Sequence, residues 1–240
     1  MTRGNGRAEP AGIFRRSPSV SAVLTVLVTI ILTALVTITG PAAAHHVGSY
    51  VPRDNAVTTN FKQVKFSVQA QKYGVALRLF EAGPLRAEMR AHAATLPPDL
   101  ENGTRAALAA GDGREVERRL MIFFAALSRD LALEADRQIA RPEASAEARV
   151  ATGRKFLEAI WRYYNLVDFA VATRDNKTSV AVRLAFDEAE GYVKPANAGA
   201  APADPAGLRK PLQRIAEVLS TLIDSSSTPA SSSTPPRRNS

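Results

Sequence analysis

Three histidines and several carboxylates are the side chains of this sequence whose types and spacing suit metal chemistry. His45 and His46 are adjacent, and His92, the only other histidine, follows Glu88 by four residues, which puts both on one face of a helix. If the chain is cleaved after Ala44, a free α-amine joins two imidazoles, and such nitrogen donors suit Cu(II) or Ni(II) in planar geometry. We therefore consider a copper site at His45 and His46, with His92 as a further ligand if the N-terminal arm folds back. The alternative is that the paired histidines are incidental and that His92 is an exposed helix residue.

A second group of candidate ligands consists of acids that occur beside apolar helical faces. Glu158 and Asp168 flank the only tryptophan, Asp187 follows a third apolar line, and Asp130 and Glu134 continue another. Acids from neighbouring helices can meet inside a bundle and bind iron or manganese through oxygen. The two Glu-x-x-His pairs of di-iron bundles are absent from the sequence. The alternative is that these acids form surface salt bridges with nearby arginines, worth at most about 1 kcal/mol each.

Composition excludes several functional classes. The chain has no cysteine, which rules out thiol catalysis, disulfides, thiolate metal sites and covalently attached c-type haem. It contains no Gly-x-Ser-x-Gly elbow, and its Gly-Asp-Gly sequence at 111–113 lacks the lysine of a phosphate loop. The net charge is +8, but most basic residues alternate with acids and form no basic block with interleaved aromatics. We therefore predict no nucleic-acid partner and a function other than catalysis.

The N-terminal segment, residues 1–44, predicts export. No charged residue occurs from 17 to 44, four arginines precede this apolar stretch, and Ala42, Ala43 and Ala44 resemble a signal-cleavage site. The apolar run is also long enough to span a bilayer as an uncleaved anchor through residues 20–39. Because the arginines hold the N-terminus inside, either outcome places the rest of the chain outside the cytoplasmic membrane. The predicted location is therefore periplasmic or extracytoplasmic, with the chain secreted or anchored to the inner membrane.

Helical periodicity dominates the remainder of the chain. The stretch from Arg154 to Ala172 contains the only tryptophan, and we predict that it is the central helix of a bundle. Its apolar positions recur every three or four residues at Phe156, Ile160, Tyr163, Val167 and Val171.

Similar spacing predicts three more long helices. They cover residues 56–82, with a kink at Tyr73-Gly74, residues 114–140 and residues 178–193. The predicted inward positions of these helices are Val57, Phe61, Val64, Val68, Val75 and Leu79; Leu120, Phe124, Leu127, Leu131 and Ala135; and Val182, Ala185, Phe186, Ala189 and Val193. The predicted N-caps are Asp54 or Asn55, Asp99 and Ser145.

The predicted fold is all-α: an antiparallel helical bundle, with short helices at one end, preceded by a signal or anchor segment. Short loops between the long helices require antiparallel neighbours. A separate amphipathic stripe at Leu208, Leu212, Ile215, Leu219 and Leu222 should dock on the bundle or on a partner. The predicted organisation is a signal or anchor at 1–44, a bundle domain at 45–194, an Ala/Pro linker at 195–207, an amphipathic helix at 208–223 and a disordered tail at 224–240.

Residues 146–194 resemble the extracytoplasmic helical region of bacterial high-affinity iron permeases. The similar features are the Ala/Glu/Arg-rich approach at 146–149, the segment FLEAIWRYY at 156–164, Asp168, and the segment AFDEA at 185–189. The permease's intramembrane Arg-Glu-x-x-Glu motif is missing. The resemblance implies a periplasmic helical module that works beside iron uptake, with Glu158, Asp168 and Asp187 as metal-facing acids.

Two functions follow as expectations from the sequence. The first is an exported, non-enzymatic module that binds a metal ion, iron or copper, or a metal-handling partner as an accessory to transport. Its partner would be a membrane metal permease or another envelope protein. The second is a structural or protein-interaction module with no metal ligand, in which the acids form surface ion pairs.

Overall fold

The computed structural model describes residue 51, residues 53–194 and residues 203–227, and every regular element within them is an α-helix. These residues form eight helices, numbered here in chain order: α1 (Ala56–Gln69), α2 (Tyr73–Glu81), α3 (Pro84–Ala91), α4 (Leu100–Ala110), α5 (Gly113–Ile139), α6 (Ala146–Arg174), α7 (Asn176–Val193) and α8 (Pro205–Ser227). The predicted all-α class and helical bundle are thus confirmed for this part of the chain. The predicted signal or anchor segment, His45, His46 and most of the predicted linker and tail lie outside the described residues.

Helices α5, α6 and α7 follow one another in the bundle, each antiparallel to the next. A short loop, residues 140–145, joins α5 to α6 and keeps their ends together. The ring centroids of Trp161 on α6 and Phe186 on α7 lie 4.8 Å apart. At the C-terminal end of α7, the Val193 carbonyl accepts a hydrogen bond from Nε of Arg154 on α6 at 2.9 Å. The start of α6 therefore lies beside the end of α7.

Helix α8 closes these three helices into a four-helix bundle. Near its start, Arg209 donates to Asp136 at the end of α5 at 2.7 Å, and at its end the Ser226 carbonyl accepts from Arg118 at the start of α5. Helix α8 therefore runs antiparallel to α5, and it also packs along α7. The predicted amphipathic stripe is fully buried at Leu208, Leu212, Ile215, Leu219 and Leu222. The bundle itself covers this stripe.

Helix α8 is longer at both ends than the predicted 208–223. It begins at Pro205, because proline suits the first helical position and Asp204 accepts from the Gly207 N–H at 2.8 Å. It continues to Ser227, where the last turn is held by the hydrogen bond from Arg118. Within the described residues no helix combines the length and the apolar character needed to cross a bilayer.

Helix α5, not α6, occupies the centre of the described part of the molecule. Residues 121–128 of α5 are buried on every side, since α1 and α4 pack against one face and α6 and α8 against the others. Helix α6 instead exposes Asn165 and Phe169 to solvent. The prediction that the tryptophan-containing helix is central is therefore wrong. Its inward face includes Ile160, Val167 and Val171 as predicted, but Phe156 and Tyr163 are only partly buried beside Leu157, Trp161 and Tyr164.

The first predicted long helix is two helices. The chain leaves the helical conformation at residues 70–72, where Gln71 has a φ of 57°, and this break separates α1 from α2. After the break Val75 is exposed rather than inward-facing. The buried Asn60 stabilises the new packing, since its side chain donates to the Leu79 carbonyl and accepts from the Leu85 N–H. One polar side chain thus joins α1, α2 and α3.

Asn55, Asp99 and Ser145 all occupy N-cap positions as predicted, but only Asn55 and Ser145 cap their helices through the side chain. Asn55 accepts from the Thr58 N–H at 2.9 Å, and Ser145 accepts from the Ala148 N–H at 3.2 Å. Asp99 stands before α4 in a left-handed conformation and its side chain makes no capping bond. Its carbonyl instead accepts from a distant arginine of α5.

Candidate functional site

Two of the predicted ligands, His92 and Glu158, lie in local pairs on single helices. The Nε2 atom of His92 lies 3.4 Å from Oε1 of Glu88, as the four-residue spacing predicts. Glu158 is about two-fifths exposed and its Oε1 lies 3.6 Å from an Nη2 atom of Arg162. Both pairs therefore have the geometry of surface helix contacts.

Asp168 lies in a buried polar cluster between α6 and α7. Its carboxylate accepts from Ser179 Oγ at 2.9 Å and from Arg183 Nε at 3.0 Å, and Arg183 Nη2 also donates to it. Tyr164 is fully buried beside this group, and burial together with the Asp168 charge raises the pKa of its hydroxyl. The Asp168 carboxylate thus joins two helices through charged hydrogen bonds.

Asp187 lies apart from that cluster, on α7. Partial desolvation and the neighbouring Glu190 carboxylate raise the pKa of Asp187, while Lys194 lowers it. Among the described residues, no group of three or more histidines and acids is arranged to hold a metal ion. Because His45 and His46 lie outside these residues, the copper site that they would form stays a prediction.

A cleft near His92 contains acids whose charges are already compensated. It has a volume of about 600 Å³ and includes Asp130 and Glu134, which continue an apolar line of α5. Arg129 lies 2.8 Å from Asp130, and Arg137 lies 2.5 Å from Glu134. These pairs match the surface salt bridges that were the alternative to a metal site.

A groove of about 440 Å³ lies between the second half of α1, the start of α5 and the end of α6, and we call it the α1/α5/α6 groove. Helix α5 forms its floor, and α1 and α6 form its walls. Apolar side chains dominate its lining, at Phe61, Val68, Val116, Leu120, Met121, Leu166, Val167, Phe169 and Ala170.

One end of this groove is closed by aromatic side chains. The ring centroids of Phe61 and Phe124 lie 4.8 Å apart, and those of Phe124 and Tyr163 lie 5.9 Å apart. The Tyr163 hydroxyl also accepts from the Asn55 side chain at 3.1 Å, which joins the start of α1 to α6. The two walls therefore meet at this end.

The other end of the groove is open and carries positive charge. Arg174 and Arg114 lie there, at the end of α6 and the start of α5. Lys65 of the α1 wall instead places its ammonium 5.8 Å from the Phe61 ring centroid, toward the closed end. None of these three cations forms an ion pair with another described residue. Glu117 on the floor is the one acid of the lining.

A fourth cation at this end, Arg118, has a structural role. It donates to Glu115 and to the Ser226 carbonyl, so that it joins the start of α5 to the last turn of α8. Together with Arg119, it lowers the pKa of Glu115 to about 2. Its charge is therefore balanced within the bundle.

Phe169 is the most exposed large apolar side chain of the described residues. It lies on the α6 wall of the groove and is 81% exposed. Burying an exposed phenylalanine releases about 1.5–3 kcal/mol, so this residue favours contact with an apolar partner. The groove therefore offers an elongated apolar surface with positive charge at its open end.

The helical spacing of the sequence did not predict this groove. Its lining comes from three helices, and on each helix the apolar positions have the spacing of ordinary core residues. The available signal was Phe169, which falls outside the predicted inward face of α6, followed five residues later by Arg174. Which helices enclose it depends on the break at residues 70–72, which the sequence did not specify.

Comparison with known proteins gives no further assignment. No family model, curated protein or solved structure matches this chain at a significant level. The resemblance of residues 146–194 to the extracytoplasmic region of iron permeases therefore stays a prediction.

Proposed function

We propose that this chain is an exported, non-enzymatic binding module that holds an elongated apolar partner in its α1/α5/α6 groove. The observation that carries this proposal is the groove itself, with Phe169 exposed on its wall and three cations in its lining that form no ion pair with another described residue. Exposed apolar surface of this kind marks interaction sites. The second function expected from the sequence was a structural or protein-interaction module with no metal ligand, and the proposal shares with it the absence of a metal ligand.

Export is the part of the proposal that rests on sequence alone. The basic start, the long apolar run and the alanines at 42–44 have the pattern of a secretory signal or a signal anchor. A module delivered in this way works outside the cytoplasmic membrane. Its partner is then a component of the envelope, such as a membrane permease or another envelope protein or a membrane-derived molecule.

The metal-binding function has less support from the described residues. Arginines pair with Asp168 and Glu158, and among the described residues no group of three or more histidines and acids is arranged to hold a metal ion. A metal function would therefore depend on His45 and His46 at the start of the processed chain. Iron or copper handling accordingly remains the second candidate, carried by the histidine pair.

Site-specific photocrosslinking tests the binding module. A benzoylphenylalanine replaces Phe169 on the groove wall or, as a matched control, the exposed Leu184 on α7, in cells that export the chain. We expect an adduct from position 169 and none from position 184, with the added mass giving the class of partner. Ala170→Phe, which fills the groove, should abolish the adduct. Equal labelling at both positions, or no labelling at either, would contradict the proposal.

A further inference from the structure

We propose that the occupant of the α1/α5/α6 groove is a single acyl chain with an anionic head, of the fatty-acid carboxylate class. This inference rests on the proposed function and specifies its ligand. The acyl tail lies toward Phe61 at the closed end, and the carboxylate lies between Arg114 and Arg174 at the open end.

The orientation of the ligand in the groove follows from which residues of the three helices lie at the same level. At the closed end, Phe61 of α1 and Tyr163 of α6 lie at the level of Phe124 of α5. At the other end Val68 lies against Gly113, where an added Cβ would come within 3.3 Å of the valine. Both walls, α1 and α6, therefore run antiparallel to α5, from the aromatic end of the groove toward the start of α5.

The same alignment of α5 and α6 places two arginines at the open end of the groove. Arg174 lies eleven residues beyond Tyr163 on α6, which is about 16 Å along the helix axis at 1.5 Å per residue. An equal distance from Phe124 toward the start of the antiparallel α5 ends at the level of Gly113 and Arg114. The two arginines thus belong to the same end of the groove, whereas the Lys65 ammonium lies over the Phe61 ring nearer the closed end.

The groove therefore combines a largely apolar lining with two arginines at its open end. Its closed part is lined by aromatic and aliphatic groups, with the Lys65 ammonium 5.8 Å from the Phe61 ring centroid, and its open part carries Arg114 and Arg174 without described ion-pair partners. A molecule that matches this lining is apolar along most of its length and carries an anionic group that the two arginines bind. Arginine suits such a head because its planar fork binds carboxylates in bidentate fashion.

The size of the groove fits one chain. A volume of about 440 Å³ lies within the usual range of about 300–1,000 Å³ for small-molecule sites. An acidic amphipathic helix from a protein would instead need a groove that is open at both ends. The aromatic closure at Phe61 and Tyr163 favours the acyl chain.

Calorimetry with two matched amphiphiles tests this inference. The processed chain is titrated with dodecanoate and with dodecanol, which share a chain length and differ in charge. We expect dodecanoate to bind at one site and Arg114→Gln/Arg174→Gln to weaken its binding about tenfold, the effect of removing two exposed charges. Dodecanol binding should not respond to that change. Glu117→Gln, which removes the acid on the floor, should tighten dodecanoate binding.

Control variants keep the outcomes distinct. Lys155→Gln/Lys210→Gln removes two exposed cations outside the groove and should leave dodecanoate affinity unchanged. Circular dichroism of each variant confirms that the helices are intact. Equal binding of both amphiphiles, insensitive to the arginine variant, would overturn the anionic class and leave the groove as a binding site.

Two further results would overturn the inference. Binding of an acidic amphipathic peptide without binding of dodecanoate would replace the acyl ligand with a protein partner. If neither amphiphile binds and position 169 gives no photoadduct, the proposed binding function fails with it.

Discussion

At the scale of single residues, Asp168 illustrates how an acid on an apolar face can hold two helices together. It is 8% exposed, and its hydrogen bonds from Ser179 and Arg183 link α6 to α7. Glu158, three turns earlier on α6, is far more exposed and contacts only Arg162 of its own helix by an ion pair. Two acids with the same sequence context thus have unequal energetic roles.

Removing these two carboxylates should therefore have different effects on stability. Asp168→Ala leaves Arg183 and Ser179 without their acceptor, and we expect it to lower the free energy of unfolding by about 1–3 kcal/mol. Glu158→Ala should cost less than about 1 kcal/mol, as for exposed helix pairs. Urea denaturation of both variants measures the difference. Equal losses would show that the Asp168 cluster does not stabilise the α6/α7 contact.

Glu115 gives a residue-scale prediction for pH. Hydrogen bonds from Arg118 and Arg119, at 2.7 and 2.6 Å, lower its pKa from 4.5 to about 2. A carboxyl whose pKa is lower in the folded chain contributes stability that is present above pH 4.5 and is lost as the pH falls toward 2. We expect Glu115→Gln to remove at most about 3 kcal/mol at pH 7 and less than that near pH 2.

Denaturation at several pH values measures this contribution. The gap in unfolding free energy between the native chain and Glu115→Gln should narrow steadily between pH 4.5 and pH 2.5. A gap that stays constant over this interval would contradict the lowered pKa.

At the scale of secondary-structure elements, α8 has a structural task that its sequence left open. Its apolar stripe could have served a partner, but it packs on α5 and α7 and completes the four-helix bundle. Two salt bridges in the first half of the helix, Arg209 with Asp136 on α5 and Arg214 with Glu188 on α7, help to fix its register. The element is therefore part of the core.

Truncation of this stripe should consequently destabilise the whole bundle. Leu219 is fully buried, and Leu219→Ala should cost about 2–5 kcal/mol through lost burial and the cavity left behind. Glu217→Ala, on the exposed face of the same helix, should change stability by less than about 0.5 kcal/mol. Thermal denaturation of the two variants tests this. A small cost at Leu219 would show that α8 is only loosely attached.

At the scale of the whole molecule, the described chain has two parts that share α5. The short helices α1 to α4 cover one side of α5, and the bundle of α5 to α8 lies on the other. The α1/α5/α6 groove is formed where the first part meets the second.

The start of the processed chain offers a separate whole-molecule prediction. If cleavage follows Ala44, a free amine and the imidazoles of His45 and His46 should bind Cu(II). Calorimetry should then show Cu(II) binding that His45→Ala/His46→Ala abolishes and Asp168→Ala leaves unchanged. Mass spectrometry of the N-terminus provides the control, because a chain that retains Met1 has no free amine at His45.

Local patterns in the sequence determined the helical class and the inward faces of the regular helices. The stripes of α7 and α8 were predicted residue by residue, since each repeats every three or four positions over several turns. The caps at Asn55 and Ser145 followed for a similar reason, because a capping side chain acts on backbone groups within its own first turn. Such signals depend only on neighbours in the chain.

Tertiary packing decided the features that depend on distant residues. The sequence could not show that α5 is central, because the burial of residues 121–128 requires helices on every side. It could not show that Asp168 faces Arg183 or that Phe169 faces solvent, since both positions lie on one helix and differ only in what packs against them. The groove has the same origin, because an apolar face becomes a binding site only where neighbouring helices leave it uncovered.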